Sequence, residues 1–131
     1  MKPNAIGYLS LAKKAGRIEL GEEAVLAAAR SGHARLLIVA NDAPGRALRR
    51  ARNMVVGTDQ QMALVPFTRE ELGAALGKSL ISFAAITDPA LALAFLQALE
   101  EPQRYADVLE NLTRQTRRVR QRQLEEKAHQ R

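Results

Sequence analysis

Three apolar runs of strand length, "ARLLIVA" (34–40), "MALVPF" (62–67) and "ISFAAIT" (81–87), punctuate the first ninety residues of the chain. Each is too short for a helix of ordinary length and apolar at successive positions, as expected of a strand covered on both faces. Pro66 lacks an amide hydrogen and places the end of the second run at a sheet edge. A shorter extended piece, "RIEL", precedes Gly21. Strands that need cover on both faces require helices above and below them, and helical patterns fill the intervals. The chain is therefore read as α/β, a three-layer α/β/α sandwich.

Cap and stop signals set the helices. Asn4 caps a helix with Ile6, Leu9 and Ala12 on one face, and Gly16 stops it. "EEAVLAAARSG" is helical, with two acids in its positive first turn and Gly32 at its end. Asn41 and Asp42 provide a turn and cap, and Pro44 sits in the first turn of "PGRALRRARNMVVG". Thr68 and Glu71 form a capping box, and Asp88 with Pro89 opens "PALALAFLQALE". From Pro102 a long helix begins whose stripe of Tyr105, Val108, Leu109 and Leu112 docks on the domain, while its end is exposed or frayed. The division is a domain at 1–101 and a basic helical C-terminal extension at 102–131.

"GAALGKS" (73–79) is one residue short of a phosphate-binding loop of the Walker type. Such a loop must leave a strand and enter a helix, so that the free amides of the helix start face phosphate. Here Thr68 starts the helix, the glycines lie in it or at its end, and a strand follows. No nucleotide site is expected. Two histidines and no cysteine exclude thiolate metal sites and thiol catalysis and argue against a histidine metal site or triad. The acid pairs Glu22–Glu23 and Glu70–Glu71 sit at helix starts, where capping and dipole effects account for them. No catalytic residue, metal site or cofactor is assigned, and the protein is read as non-enzymatic.

Charge supplies the partner class. The chain of 131 residues carries a net charge of +6, which favours a polyanion. Residues 1–100 hold 12 Lys and Arg against 9 Asp and Glu, and residues 101–131 hold 8 against 5. The extension thus carries half the excess in under a third of the length. Arg114, Arg117, Arg118, Arg120 and Arg122 follow one another without an intervening acid. On the helix 46–52, Arg46 shares a face with Arg50 or with Arg49. Lys13, Lys14 and Arg17 close the first helix, where cations meet the negative end of its dipole. No apolar run is long enough to span a membrane.

The succession "LSLAKKAGRIELGEEAVLAAARSGHARLLIVANDA", "ELGAALGK" and "AAITDPALA" resembles the kink-turn-binding ribosomal protein superfamily, of the L-seven-Ae and L-thirty-e type, with most likeness to its small bacterial YlxQ-type members. The likeness runs over residues 4–98. It implies a mixed four-stranded sheet between helices and two neighbouring RNA-gripping regions. One is the glycine-opened helix start at Gly21, Glu22, Glu23 and Val25. The other is the loop from Lys78 to Ser82, where Leu80 and Ile81 would lie against an unstacked base. Arg46 joins them as a phosphate contact. The chain departs from the superfamily's "GxNExxK": Gly21 matches, but Glu23, Ala24 and Ala27 replace Asn, Glu and Lys. The expected partner is structured RNA, foremost ribosomal RNA, with ribosomal or ribosome-assembly proteins beside it. A cytoplasmic monomer is expected. The alternative is a protein-interaction module that has kept the fold and lost kink-turn binding.

Overall fold

The computed structural model describes residues 4–129. Ten elements follow in order: α1 (Ala5–Lys14), β1 (Ile18–Leu20), α2 (Glu22–Arg30), β2 (Leu36–Val39), α3 (Gly45–Val55), β3 (Gln61–Leu64), α4 (Arg69–Leu76), β4 (Phe83–Ile86), α5 (Pro89–Ala98) and α6 (Ala106–His129). The four strands form one sheet in the order β1-β4-β2-β3. The sheet is mixed: β2 and β3 run parallel, and β4 is antiparallel to both β1 and β2.

The alternation of side chains along each strand divides the core into two layers. Leu36, Ile38, Ala84 and Ile86 point to one face, under α1, α4, α5 and the start of α6, with Leu9, Leu72, Phe95 and Leu112. Leu37, Val39, Phe83 and Ala85 point to the other, under α2 and α3, with Val25, Ala51 and Val55. Both parities of β2 and β4 are therefore buried, which is why these runs read as continuously apolar. Each fully buried Leu, Ile or Phe contributes about 1.5–3 kcal/mol relative to exposure. Gln60, buried just before β3, ties that strand to the end of α2 and the segment after it: its Oε1 accepts from Ala34 N at 2.9 Å and its Nε2 donates to Ala29 O at 3.0 Å.

β3 is an edge strand, in keeping with Pro66 just beyond it. α6 covers that edge. The Tyr105 hydroxyl donates to Leu64 O, Asn111 Nδ2 donates to Gln61 Oε1 at 3.0 Å, and Gln115 Nε2 donates to Asp59 O at 2.8 Å. Burial of the Tyr105 phenol raises its pKa, Arg104 opposing and Glu101 adding to the effect. Tyr105 and Leu112 share an apolar cluster with Leu36 and Phe95, so the first turns of α6 are packed into the domain. The helix continues unbroken to His129.

Caps follow the sequence at three helices and depart from it at one. Asn4 accepts from Gly7 N, Thr68 and Glu71 form the capping box, and Asp88 accepts from Leu91 N. At α3, neither Asn41 nor Asp42 caps. Pro44 itself holds the N-cap position, with no side-chain hydrogen bond to the helix start. Asp42 is turned toward α4, where its Oδ1 accepts from Arg69 N at 2.8 Å. It satisfies a free amide of a helix distant in sequence, a partner that local spacing does not reveal.

Candidate functional site

The ends of β1 and β2 and the start of β4 open into a cleft of about 720 Å³. Its lining draws on four segments: the start of α2 (Gly21, Glu22), the first turns of α3 (Pro44, Arg46, Arg50), the start of α4 (Arg69) and the loop Lys78–Ser82. The fold brings these together because the loops after β1, after β2 and before β4 all lie at one end of the sheet.

Three helices begin at this cleft: α4 carries its Thr68–Glu71 capping box, whereas α2 and α3 begin without a side-chain cap. Gly21 precedes α2 with φ at 89°, a conformation that a side chain would strain. It has no hydroxyl or carboxylate to offer the helix, and the first intrahelical bond is Val25 N to Gly21 O at 3.0 Å. The amides of Glu22, Glu23 and Ala24 precede that bond. Pro44 likewise gives α3 no side-chain acceptor. The capped starts of α1 and α5 contribute nothing to the cleft lining. Uncapped amides with a positive dipole end favour an anionic ligand.

The charges agree in sign. Arg46, Arg50, Arg69 and Lys78 line the cleft with one carboxylate, Glu22. Glu22 is held by Arg50, whose Nη1 lies 2.9 and 3.0 Å from its two oxygens. Arg69 Nε lies 3.6 Å from Asp42 Oδ1. Arg46 and Lys78 make no ion pair among the described residues.

The loop after α4 explains the near-miss phosphate-binding sequence. Gly73 lies inside α4 and Gly77 caps its end in the left-handed conformation. A Cβ on Gly73 would meet the carbonyl oxygens of Lys78 and Ser79 at 2.6 Å. The glycine is there so that the returning chain can lie against the helix. Lys78 N donates to Gly73 O at 2.8 Å and Ile81 N to Arg69 O at 3.0 Å, which pins the loop at both ends. Lys13 closes the arrangement: its Nζ donates to Leu76 O at 2.6 Å, at the negative end of α4. Its role at the end of α1 is thus joined by one at a second helix.

Of the nine residues singled out from sequence, Gly21, Glu22, Arg46, Lys78, Leu80, Ile81 and Ser82 line this one cleft. Two of the nine, Val25 and Ile81, have side chains buried in the core. Val25 is fully buried against the sheet because it lies one turn into α2, on the sheet-facing side, and its amide is spent on Gly21. Ile81 is 6% exposed and belongs to the other core layer, whereas Leu80, 59% exposed, is the apolar side chain presented to solvent. Glu23 is exposed outside the lining. Of the two faces open to the arginines of α3, the one shared by Arg46 and Arg50 meets the cleft, and Arg49 does not. Sequence reasoning did not find Arg69, which looked like part of a capping box. Only its long-range contact with Asp42 marks it.

Ala24 and Ala27, where the superfamily pattern has Glu and Lys, lie on another hollow of about 480 Å³ with Arg17, Glu19 and His33. Among the described residues no cluster of His, Cys, Asp and Glu is suited to hold a metal ion, and no helix is long and apolar enough to cross a membrane.

Family comparison fits this architecture. The Ribosomal protein L7Ae/L30e/S12e/Gadd45 family matches over residues 4–93. The chain belongs to that family. The matched family region includes every element that lines the cleft and ends within α5, so α6 lies outside it. Among solved structures, a protein of unknown function from Bacillus halodurans superposes with a TM-score of 0.67 at 24% identity, covering 74% of this chain and 97% of its own. The Giardia lamblia 15.5kD RNA binding protein superposes with a TM-score of 0.57 at 18% identity, covering 73% and 82%. Identities this low speak for the fold. No curated protein matches the chain.

Proposed function

We propose that the protein is a non-enzymatic RNA-binding protein that receives structured RNA, kink-turn-like or bulged, in the cleft between α2, α3 and the Lys78–Ser82 loop. The observation that carries this reading is the convergence of two uncapped helix starts with Arg46, Arg69 and Lys78 around the exposed Leu80. Amides and cations at a helix start suit phosphate. An exposed aliphatic side chain beside them suits the face of a base that has left its stack, which bulged and looped RNA presents and a regular duplex does not.

Family membership and the RNA-binding Giardia lamblia neighbour support the same class of ligand. Ribosomal RNA is the RNA we favour, with a cytoplasmic monomer of the small bacterial YlxQ type acting on or near the ribosome. Glu22 is compatible with this reading because Arg50 neutralises it, and a carboxylate accepts hydrogen bonds from base amino groups. The alternative, a protein-interaction module on the same fold, draws on Glu23, Ala24 and Ala27 at the positions where kink-turn binders carry Asn, Glu and Lys.

Binding of fluorescent bulged RNA and of its bulge-free duplex, measured across a salt series, distinguishes the two. Lys78→Ala is expected to weaken both about tenfold and to lower the salt slope by about one unit. Leu80→Ser is expected to weaken the bulged RNA selectively. If both variants fold and bind RNA as the parent does, the cleft is not an RNA site, and the interaction module stands.

A further inference from the structure

The strongest charged feature outside the cleft is the second half of α6, and the topology fixes where it lies. Tyr105 bonds Leu64 at the end of β3, Asn111 bonds Gln61 at its start, and Gln115 bonds Asp59 just before it. Leu64 pairs with Val39, and Val39 with Phe83 of the cleft lining. α6 therefore begins at the cleft end of the sheet, runs antiparallel to β3, and leaves at the opposite end.

Beyond Thr116 only Val119 is half-buried, and all other described side chains are exposed. The thirteen residues from Arg117 to His129 project for ~20 Å at 1.5 Å per residue. Arg114, Arg117 and Arg118 fall within about 100° of arc on the side away from Leu112, Gln115 and Val119, with Arg120 and Arg122 on the two flanks. None of the three ion pairs among the described residues involves these arginines. Arg35, half-buried at the base of the projection, adds a guanidinium 3.5 Å from Gln115 Oε1. A polar, uncovered helix with five arginines and no acid between 114 and 122 does not serve packing. It presents guanidinium groups in a row, the chemistry that matches a phosphate backbone.

We infer that the projecting half of α6 is a second RNA-binding element, a sequence-indifferent phosphate clamp at the end of the molecule opposite the cleft. It rests on the RNA-binding reading of the cleft for the class of ligand only. A single RNA engaging both must extend past the whole sheet edge, so the protein grips a structured segment in the cleft and an adjoining helix or strand along α6. Long exposed arginines add affinity and salt dependence without selecting sequence.

The test uses the full chain with Arg117, Arg118, Arg120 and Arg122 replaced by Gln, which keeps helix propensity and leaves the exposed Arg114, on the packed part of the helix, in place. On a bulged RNA with a long flanking stem, the salt slope is expected to fall by about three units, at 0.7–0.9 per phosphate lost. The ratio of affinities for bulged and bulge-free RNA is expected to change less than twofold. The protein has no cysteine, so Gln121→Cys and Ser79→Cys each carry one tethered hydroxyl-radical probe. They are expected to cut the RNA at two separate places.

A slope within half a unit of the parent, with no cleavage from position 121, overturns the clamp even if Lys78→Ala still weakens binding. A fallen slope with an inert Lys78→Ala upholds the clamp and removes the cleft instead. Binding to phosphatidylglycerol vesicles that the arginine variant loses, with the RNA slope intact, assigns the helix to a membrane surface and overturns the proposal. Should the quadruple variant unfold, a chain ending at Thr116, which keeps Leu112 and Gln115, is held to the same slope criterion.

Discussion

The cleft and the projecting half of α6 are both cationic, yet they are built in opposite ways. In the cleft three of the four cations have a tertiary address, Arg46 being the exception: Arg69 is tied to Asp42, Arg50 to Glu22, and the loop carrying Lys78 is pinned across Gly73 and Arg69. On α6 beyond Thr116 the arginines are positioned by the helix alone. A charge held by its neighbours can choose among ligands by geometry. A charge on a free helix can only attract. Selectivity should thus reside in the cleft and bulk electrostatic affinity in the helix.

The sharpest break of this comparison lies between two adjacent loop residues. Ile81→Asp places a carboxylate in the core and is expected to cost more than 3 kcal/mol, read as loss of the cooperative thermal transition. Leu80→Asp, one residue away and exposed, is expected to stay within about 0.5 kcal/mol of the parent while losing bulged-RNA affinity. Equal melting of the two would mean that the loop is not pinned.

Gly73→Ala comes next. Its Cβ must displace the backbone of Lys78 and Ser79, and overpacking of this kind costs about 1–3 kcal/mol. Because the displaced atoms belong to the cleft loop, RNA affinity should fall along with the melting temperature. No substitution in the second half of α6 should couple stability to binding in that way.

Tyr105 tests the docked part of α6. Tyr105→Phe removes one hydrogen bond, worth about 1 kcal/mol, and should lower the melting temperature. The folded state raises the pKa of this phenol above the ordinary 10.0. It therefore holds its proton more tightly than the unfolded chain, and stability contributed by the neutral phenol is complete below pH 10.0 and lost as pH rises through the folded pKa. Urea melts from pH 9 upward should show that decline in the parent and less of it in Tyr105→Phe.

The smallest effect is expected at Glu22. Its pair with Arg50 is about half exposed on both sides, so Glu22→Gln should change stability by about 0–1 kcal/mol. It frees Arg50 for phosphate, and a several-fold tightening of RNA binding is expected. Weaker binding would instead identify the carboxylate as a base contact.

Much of the fold was legible because its causes are local. Asn4, Thr68, Glu71 and Asp88 cap the helices where their spacing placed them, and "LLIV" and "FAAI" are strands because both parities of each are apolar. The position of "GAALGKS" after a capping box was enough to reject a phosphate-binding loop. Other features depend on which elements meet. Asp42 sits where a cap for α3 belongs, yet it binds the amide of Arg69, 27 residues away. Leu80 and Ile81 are equally apolar in sequence, and only the pinned return of the chain sends one inward and the other to solvent.

By itself the sequence determined the elements, the two-faced burial of the sheet and the excess of positive charge in the last thirty residues, since propensity, capping and composition act over a few residues at a time. Only the tertiary structure decided that Arg46, Arg69 and Lys78 share a cleft with two uncapped helix starts, and that α6 leaves the sheet at the other end. Both depend on long-range pairing, in which β3 is the edge and β4 runs antiparallel to its neighbours. Contacts of that kind join residues whose separation along the chain carries no local signal.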